Sequence, residues 1–476
     1  MALPEIFIFT LFALVYRFTA RSSARGWLLL VGSTLAIFWL QPATPIRFLD
    51  FWLPVATLAL TIFSWLLSAE RDQKRNRENW LTAGVIGGIV LLLALTRYVS
   101  MDGILTVNRP PQTLQVLLGL AGLALLGWLL GRFSNAKSAW LGAGMLFLLA
   151  LFLVLKLPQL SLSASIGLRS LVGQGTATAT ALDIRWLGFS YVAFRLIHTL
   201  RDRQGGRLAN VSLQEYVNYV IFFPAFTAGP IDRLPRFTKD LQKPLINSVE
   251  EFGVAFYRLT IGIFKKFAIA DTLALIALNG TNAGQLQTAG WSWIVVYAYA
   301  FQIFFDFSGY TDIAIGLGRL LGIQLPENFN QPYRRTNLTL FWNNWHMTLT
   351  QWFRAYFFNP FTRSLRTRYK NLAPGWVILI TQVSTMVLIG LWHGVTWNFV
   401  VWGIWHGLGL FVQNRFSDWM KPRTAAIQSR PRLSKALDIL NTLFTFHFVV
   451  LGWVWFALPS ASLSWQVILR LFGLGG

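Results

Sequence analysis

The chain has 476 residues, of which 54% are hydrophobic and only 13% are charged, and its formal net charge is +22. A soluble protein carries about a quarter charged residues, so this composition excludes a disordered chain and predicts a membrane protein. Cysteine is absent, which excludes disulfides, thiolate metal sites, iron–sulfur clusters and an acyl-cysteine intermediate. Any chemistry must therefore come from histidine, carboxylate, hydroxyl or amide groups.

Apolar windows recur along the whole chain. A helix needs roughly 20 mainly apolar residues to cross a bilayer, and only a helix or a closed barrel satisfies its own backbone there. We therefore predict an all-α, polytopic membrane protein with roughly eleven transmembrane helices plus re-entrant helices. The candidate windows are 4–16, 27–40, 51–67, 80–96, 113–131, 139–155, 186–200, 216–226, 252–278, 291–305, 376–392, 397–412 and 437–456.

The loops between the early windows differ in positive charge. Lysine and arginine collect on the cytoplasmic side of membranes, so the richer loops predict an N-terminus outside the cell. The basic residues predicted to be cytoplasmic are Arg17, Arg21, Arg25, Arg71, Lys74, Arg75, Arg77, Arg132, Lys137, Arg201, Arg203 and Arg207. This rule and contact with anionic lipid account for the net charge. Nucleic-acid binding is disfavoured, because no solvated basic domain is predicted.

One stretch interrupts the apolar pattern. Residues 158–185 are rich in Ser, Thr, Gly and Ala, which favours a loop. We divide the chain accordingly into N-terminal transmembrane helices (1–157), a loop (158–185) and a core (186–476).

Ionisable residues inside apolar sequence are costly and mark sites of function or of structural pairing. Asp306 and Asp312 lie in such sequence, but their spacing of six does not place them on one helical face, which disfavours a paired acid and base. The Ser-Gly-Tyr-Thr-Asp sequence predicts a break in the helix, with Asp312 capping a turn at 314–321. A structural role is the favoured interpretation.

Residues 331–370 contain seven cations and no acidic residue. The cations are Arg334, Arg335, Arg354, Arg363, Arg366, Arg368 and Lys370. Tryptophan and polar residues alternate here, which is typical of an interfacial or re-entrant helix. From charge alone, phospholipid headgroups are the favoured partner. The alternative is a phosphorylated donor, such as coenzyme A or the phosphopantetheine arm of an acidic carrier protein.

Histidine can act as base and then acid near neutral pH, so it is the first catalytic candidate in a cysteine-free chain. The five histidines are His198, His346, His393, His406 and His447. His393 is the strongest candidate, because Gly394 permits close approach of a ligand and Trp392 can form the wall of a pocket. His198 and His447 are interpreted as hydrogen-bonded packing residues. For His406 the sequence does not distinguish a packing role from a place in a functional site.

Two other kinds of site are disfavoured. No HExxH motif or other metal-ligand spacing occurs in the sequence, so we expect neither a metal nor another bound cofactor. The sequence GLGRLLG follows an apolar window rather than a strand, so it does not predict a nucleotide site.

Several separate motifs occur together in the second half of the chain. They are FFPAFTAGPIDR, GIFKKFAIAD, FDFSGYTDIAIGLGRLLGIQLPENFNQPY, FWNNWHMTLTQWFRAYFFNPF and LWHG. With these motifs in this order, the chain resembles the membrane-bound O-acyltransferases, and among them the bacterial branch that contains alginate O-acetyltransferase and the teichoic-acid D-alanyl transferase. The resemblance covers roughly residues 186–472.

The resemblance implies a ring of transmembrane helices around a central tunnel that admits the donor from the cytosol and the acceptor from the far side. By this resemblance, His393 corresponds to the principal catalytic histidine, in the motif LWHG, and His346 corresponds to the second active-site histidine. Asn343 or Asn344 would help to stabilise developing charge. The candidate substrate-binding residues are Asn343, Asn344, Trp345, Trp392, Arg334 and Arg335.

The implied activity is transfer of an acyl group, with acetyl favoured, to a hydroxyl of an extracytoplasmic polysaccharide or envelope polymer at the cell membrane. The donor would be an acyl-CoA or acyl carrier protein thioester, and a hydrolase-like helper protein is expected. A transporter or flippase of an envelope precursor, or a scaffold, are the alternatives.

The chain departs from the family pattern at two places. Ala355 stands where the family often has an acidic residue, and Phe456-Ala457 stands where an aromatic-Arg pair is frequent. We expect these changes to affect local packing and helper docking without touching His393 or His346.

Overall fold

The computed structural model describes residues 1–20, 24–99, 105–133 and 138–474, and over these residues the regular secondary structure is helical. The α-helices of its first part are α1 Leu3–Thr19, α2 Arg25–Trp39, α3 Leu49–Ser68, α4 Arg71–Arg75, α5 Arg77–Leu95, α6 Thr113–Phe133, α7 Ser138–Lys156, α8 Pro158–Leu171, α9 Phe189–Gln204, α10 Leu213–Val220 and α11 Leu234–Gln242. Those that follow are α12 Val249–Ile263, α13 Asp271–Ala274, α14 Ala289–Leu320, α15 Leu338–Asn344, α16 Met347–Phe353, α17 Asn359–Arg368, α18 Pro374–His393, α19 Trp397–Gln428, α20 Pro431–Ala457 and α21 Ala461–Leu471.

The helices group into two compact units. The first unit comprises residues 1–259 and 313–325, and the second comprises residues 260–312 and 326–476. The division falls inside α12 and α14. The division of the sequence into 1–157, 158–185 and 186–476 stays a prediction.

Six described helices are long and apolar enough to cross a membrane: Leu49–Ser68, Arg77–Tyr98, Thr113–Phe133, Ser138–Lys156, Pro374–His393 and Pro431–Ala457. A shorter apolar helix is Arg25–Trp39. The prediction of a polytopic all-α protein is therefore confirmed, whereas the count of roughly eleven crossings stays a prediction. The window 216–226 was too long, since α10 has 8 residues and ends at Val220.

The segment 158–185 is only partly the loop that its composition predicted. Its first half is the helix α8, which begins at Pro158, a residue that suits a first helical position because it lacks a backbone N–H. The rest of the segment is fixed to α8 by a buried ion pair, in which Arg169 Nε lies 2.9 Å from Asp183 Oδ2. Ser165 also donates to this carboxylate, at 2.6 Å.

Two arginines that the charge pattern assigned to cytoplasmic loops are buried in the first unit. Arg17 and Arg25 are only 4% and 3% exposed. Arg17 Nη1 donates to the carbonyl of Arg319 at 2.7 Å, and Arg25 Nη2 donates to that of Leu321 at 2.8 Å. They thereby satisfy carbonyls at the C-terminal end of α14 that have no partner inside the helix. Of the other basic residues in that prediction, Arg21 and Lys137 lie outside the described residues, and the orientation itself stays a prediction.

The predicted break at Ser-Gly-Tyr-Thr-Asp is wrong, because α14 continues through it. Gly309 allows the adjoining π-helix Phe264–Ala270 to approach: a β-carbon here would lie 2.8 Å from the Lys266 backbone nitrogen. Asp312 caps no turn. Its Oδ2 accepts from Lys265 Nζ at 2.7 Å, and Asp306 pairs with Lys266. The structural interpretation of these carboxylates thus agrees with the ion pairs.

Glycines determine how closely α18 and α19 pack in the second unit. A β-carbon at Gly403 would lie 2.5 Å from the α-carbon of Val387, and one at Gly407 would lie 2.6 Å from that of Val383. Small residues at helix contacts allow this backbone approach in membrane proteins. The close contact fixes the end of α18, and His393 is the last residue of that helix.

Candidate active site

His346 occupies a strained turn between the short helices α15 and α16. Its backbone is left-handed, with φ 42° and ψ 54°, a conformation that costs a residue with a β-carbon roughly 1–2 kcal/mol. The side chain is only 3% exposed. The surrounding chain must therefore hold this turn in place.

A neighbouring segment supplies the hydrogen bonds that hold the turn. The backbone N–H of Met347 donates to the carbonyl of Asn328 at 3.0 Å, and that of Asn330 donates to the carbonyl of Asn344 at 3.1 Å. The Asn328 side chain, which is fully buried, accepts from the hydroxyl of Thr348 at 2.6 Å. We call residues 328–330 the clamp segment, because it is bonded to the chain on both sides of His346.

The second candidate histidine stands at the end of a long helix. His393 is half-buried at the C-terminus of α18, and the chain continues through Gly394 in an extended conformation. Its ring lies 4.4 Å from that of Trp392 and 4.7 Å from that of Phe456, measured between centroids. The imidazole is thus walled by aromatic rings.

Trp392 contacts both imidazoles. Its ring centroid lies 6.1 Å from that of His346 as well as 4.4 Å from that of His393. On its other side the His346 ring meets Phe307 edge-on, at 4.6 Å. The two histidines predicted to be catalytic, and the tryptophan predicted to wall their pocket, therefore belong to one aromatic cluster.

The electrostatic environment of His346 favours its neutral form. Burial, followed by the nearby His393, holds the pKa of His346 well below its usual value. Among the described residues, no group hydrogen-bonds its buried Nε2 atom. A neutral imidazole with an unused nitrogen can exchange a hydrogen bond with a bound substrate.

The two asparagines beside this turn make local contacts. Asn343 accepts a hydrogen bond from Arg354, and Asn344 Nδ2 donates to the carbonyl of Leu340 at 2.7 Å. Neither of these two hydrogen bonds is made to a histidine. Their assignment to substrate binding stays a prediction.

Three further predicted binding residues make contacts with the structure around the turn. Trp345 is buried, with its ring 5.2 Å from Phe329 and 5.0 Å from Trp453, so it packs the core that supports the turn. Arg335 Nη2 donates to the carbonyl of Asn330 at 2.7 Å, which links it to the clamp segment. Arg334 lies 3.5 Å from the side-chain oxygen of Gln331. A role of these residues in binding substrate also stays a prediction.

Two of the remaining histidines make the hydrogen bonds that their predicted packing role requires. His198 is bonded to Tyr219 at 3.0 Å, and His447 to Tyr297 at 2.8 Å, as expected of packing residues. His406 is fully buried, and neither of its ring nitrogens has a hydrogen-bond partner in the described part of the chain. Its role remains open.

Sequence reasoning missed three residues of this site. Phe456 was expected to leave the histidines untouched, but its ring packs against His393; that expectation was wrong. Phe307 and Asn328 were not singled out, although both lie in the motif that runs from 305 to 333. Their partners are 39 and 20 positions away in the chain, so no local spacing could have identified them.

A cavity of about 230 Å³ lies among α15, α16, α18 and α19. Asn343 and Arg354 line it, as do Trp342 and Gln382, whose Nε1 and Oε1 atoms are buried with no hydrogen-bond partner in the described ranges. The described residues contain no group of three or more metal-ligating side chains.

The family comparison covers both histidines. Residues 133–458 match the model of the MBOAT, membrane-bound O-acyltransferase family. The matched region begins well before residue 186, where the sequence placed the start of the core.

Three relatives are similar over part of their length. The protein named probable alginate O-acetylase of Pseudomonas aeruginosa is 34% identical over 296 residues, which cover 61% of this chain and 52% of the relative. The teichoic acid D-alanyltransferase of Streptococcus thermophilus is 30% identical over 59% of this chain and 70% of its own. The peptidoglycan O-acetyltransferase of Helicobacter pylori is 34% identical over 55% and 47%. The chain spans about half the length of the first and third of these relatives.

The clamp segment generates a prediction about His346. Replacing Asn328 with alanine removes the acceptor of Thr348 and should loosen the turn, at a cost of about 1–3 kcal/mol in the free energy of unfolding. The buried imidazole should then react faster with diethyl pyrocarbonate, as measured by mass spectrometry of the His346 peptide.

Asn330→Ala is the matched control, because that side chain is exposed and the turn uses only the backbone of Asn330. Equal modification rates in Asn328→Ala, Asn330→Ala and the unmodified chain would show that the Asn328 side chain does not hold the turn.

Proposed function

Because the chain belongs to the membrane-bound O-acyltransferase family, we propose that it transfers an acyl group from a thioester donor to a hydroxyl of an extracytoplasmic polysaccharide or envelope polymer. Acetyl is the favoured group, and the donor is met at the cytoplasmic face. Membership of this family and several long apolar helices make it a multi-pass protein of the cell membrane. The observation that carries the proposal is the pair of imidazoles that share Trp392.

The relatives support the reaction class and leave the substrates open. Their names refer to the transfer of acetyl or D-alanyl groups and to alginate, teichoic acid or peptidoglycan. Transfer of a small acyl group to a polymer is common to all three. We therefore propose the class of acceptor and not one polymer.

The proposed chemistry assigns proton transfer to His393. Its imidazole takes the proton of the acceptor hydroxyl while the oxygen attacks the thioester carbonyl carbon. The C–S bond then breaks, the new ester forms, and the imidazolium returns the proton to the departing thiolate. Such a positioned acid–base group contributes about 10²–10⁴-fold to a rate.

His346 has a separate part in this proposal. Its depressed pKa keeps the ring neutral beside His393, so two positive charges need not accumulate in one apolar site. The ring nitrogen that carries a proton would donate to the oxygen on which negative charge develops, or would orient the acceptor hydroxyl. The left-handed turn presets that position before substrate arrives.

The positive segment 331–370 is proposed to meet the donor. Arg363, Arg366 and Arg368 are exposed on α17, and their charges are not offset by any acidic residue within the segment. Phosphates of coenzyme A, or of a phosphopantetheine carrier protein, match this charge. A hydrolase-like helper protein on the acceptor side completes the proposed set of partners.

Loss of either imidazole should reduce turnover. In vesicles containing the purified protein, we expect His393→Ala to lower ester formation at least about 100-fold, and His346→Ala to lower it less, because only the first group moves the proton. The measurement follows a labelled acyl group from thioester to polymer. His447→Gln serves as the control, since that residue lies outside the proposed machinery.

A folded His393→Ala protein with undiminished ester formation would refute the proposed role. If label crosses the membrane without becoming esterified, the protein is a transporter. If both histidine variants are fully active in cells, a scaffold is the better explanation.

The donor proposal makes a second prediction. Reversing the charge of Arg363, Arg366 and Arg368 to glutamate should raise the KM for the thioester and leave the KM for the acceptor near its original value, because repulsion acts on the donor phosphates. The difference should shrink at high salt. An equal rise in both KM values would count against a donor-side role.

A further inference from the structure

A larger cavity, of about 590 Å³, lies in the first unit among α3, α5 and α6. All of its lining residues except Leu213 precede residue 133, where the match to the family model begins. The family match therefore gives this cavity no role.

Glycines on one helix create the cavity. Gly84, Gly87 and Gly88 of α5 all line it. A β-carbon built at any of them would have no other atom of the described chain within 4 Å. The facing residues come from α3 and α6 and are mainly leucine and alanine. Because these glycines have no side chains, a groove with apolar walls lies along α5.

One end of the groove carries polar and aromatic groups. Lys74 lines it just before α5 begins, and Trp80 lines it from the first turns of that helix. Trp128, near the C-terminus of α6, lies at the same end, and Arg132 stacks over its ring at 5.5 Å. Trp80 and Trp128 are 61% and 49% exposed. Half-exposed tryptophans beside cations are typical of the level of lipid headgroups.

The length of the groove matches one leaflet. Its lining extends along α5 from Trp80 to Leu91, which at about 1.5 Å per residue corresponds to roughly 16 Å. This is about half of the ~30 Å hydrocarbon core. The groove therefore begins at a headgroup level and ends near the middle of a bilayer.

We propose that this groove binds one acyl chain of an anionic glycerophospholipid, with the lipid phosphate lying against Lys74. The apolar walls suit the chain, and the cationic helix α4 and the nearby Arg132 suit an anionic headgroup. This lipid is a bound structural ligand and is distinct from the acyl donor and acceptor.

The surroundings of Lys74 support an anion at this place. Burial lowers the pKa of Lys74, and the positive charges of Arg71 and Arg203 lower it further. A phosphate beside Lys74 and Arg71 would oppose both effects, whereas Arg203 already pairs with Glu70 at 2.8 Å. Asn79, which also lines the cavity, already donates to the Gln73 carbonyl at 2.7 Å and accepts from the Leu213 backbone at 2.8 Å.

The test is native mass spectrometry of the purified full-length chain, titrated with phosphatidylglycerol or phosphatidylcholine of the same acyl composition. The unmodified protein should retain one phosphatidylglycerol in preference to phosphatidylcholine. Gly87→Leu should fill the groove without a clash and abolish that retention. Lys74→Gln should weaken phosphatidylglycerol binding about fivefold, since one cation near a lipid surface contributes about 1 kcal/mol, and should leave phosphatidylcholine binding almost unchanged.

Gly122→Leu is the matched control. This glycine of α6 also has open space around it but does not line the cavity, so the variant should retain the lipid. Retention by Gly87→Leu equal to that of Gly122→Leu would overturn the proposal. It would also be overturned if Lys74→Gln left the preference for phosphatidylglycerol unchanged. Neither result bears on the acyl-transfer proposal.

Discussion

The candidate site depends on one strained turn. His346 can adopt its left-handed conformation only while residues 328–330 hold the chain on both sides of it, through the carbonyl of Asn328 and the N–H of Asn330. Trp345, the residue before His346, packs against Phe329 of the clamp segment and against Trp453. This arrangement places an imidazole against Trp392, and the close packing of α18 on α19 places His393 on the same tryptophan.

Polar groups must be satisfied inside apolar surroundings, and this constraint accounts for four of the 41 lysines and arginines. Arg17 and Arg25 donate hydrogen bonds to carbonyls at the end of α14. Lys265 and Lys266 pair with carboxylates of the same helix. These cations are structural. For a buried group such as the Asp312 carboxylate, loss of the partner would cost about 1–3 kcal/mol or more. The Asp306 side chain is half exposed, so its pair with Lys266 contributes less. The exposed arginines of α17 remain as the charges available to a phosphorylated partner.

The sequence predicted the helices better than their interruptions. Apolar composition locates helices reliably, because each must satisfy its backbone within itself. The predicted break near Ser308 failed because Asp312 has a partner, Lys265, 47 residues away, and a local motif does not contain that information. The neighbouring residues already made His393 the strongest histidine candidate, whereas His346 was assigned from the resemblance. Spacing alone could not place His346 and His393 on one tryptophan, nor bring Phe456 to His393.

Our proposal is that this pair of imidazoles serves acyl transfer to an extracytoplasmic polymer. It is tested most directly by mass spectrometry of envelope glycans from cells that have the chain and from cells that lack it. We expect one ester-linked acyl group to disappear from a polymer when the chain is absent, and its mass to identify the group. Glycans with identical acylation in both cells, under conditions where the protein is present in the membrane, would contradict the claim.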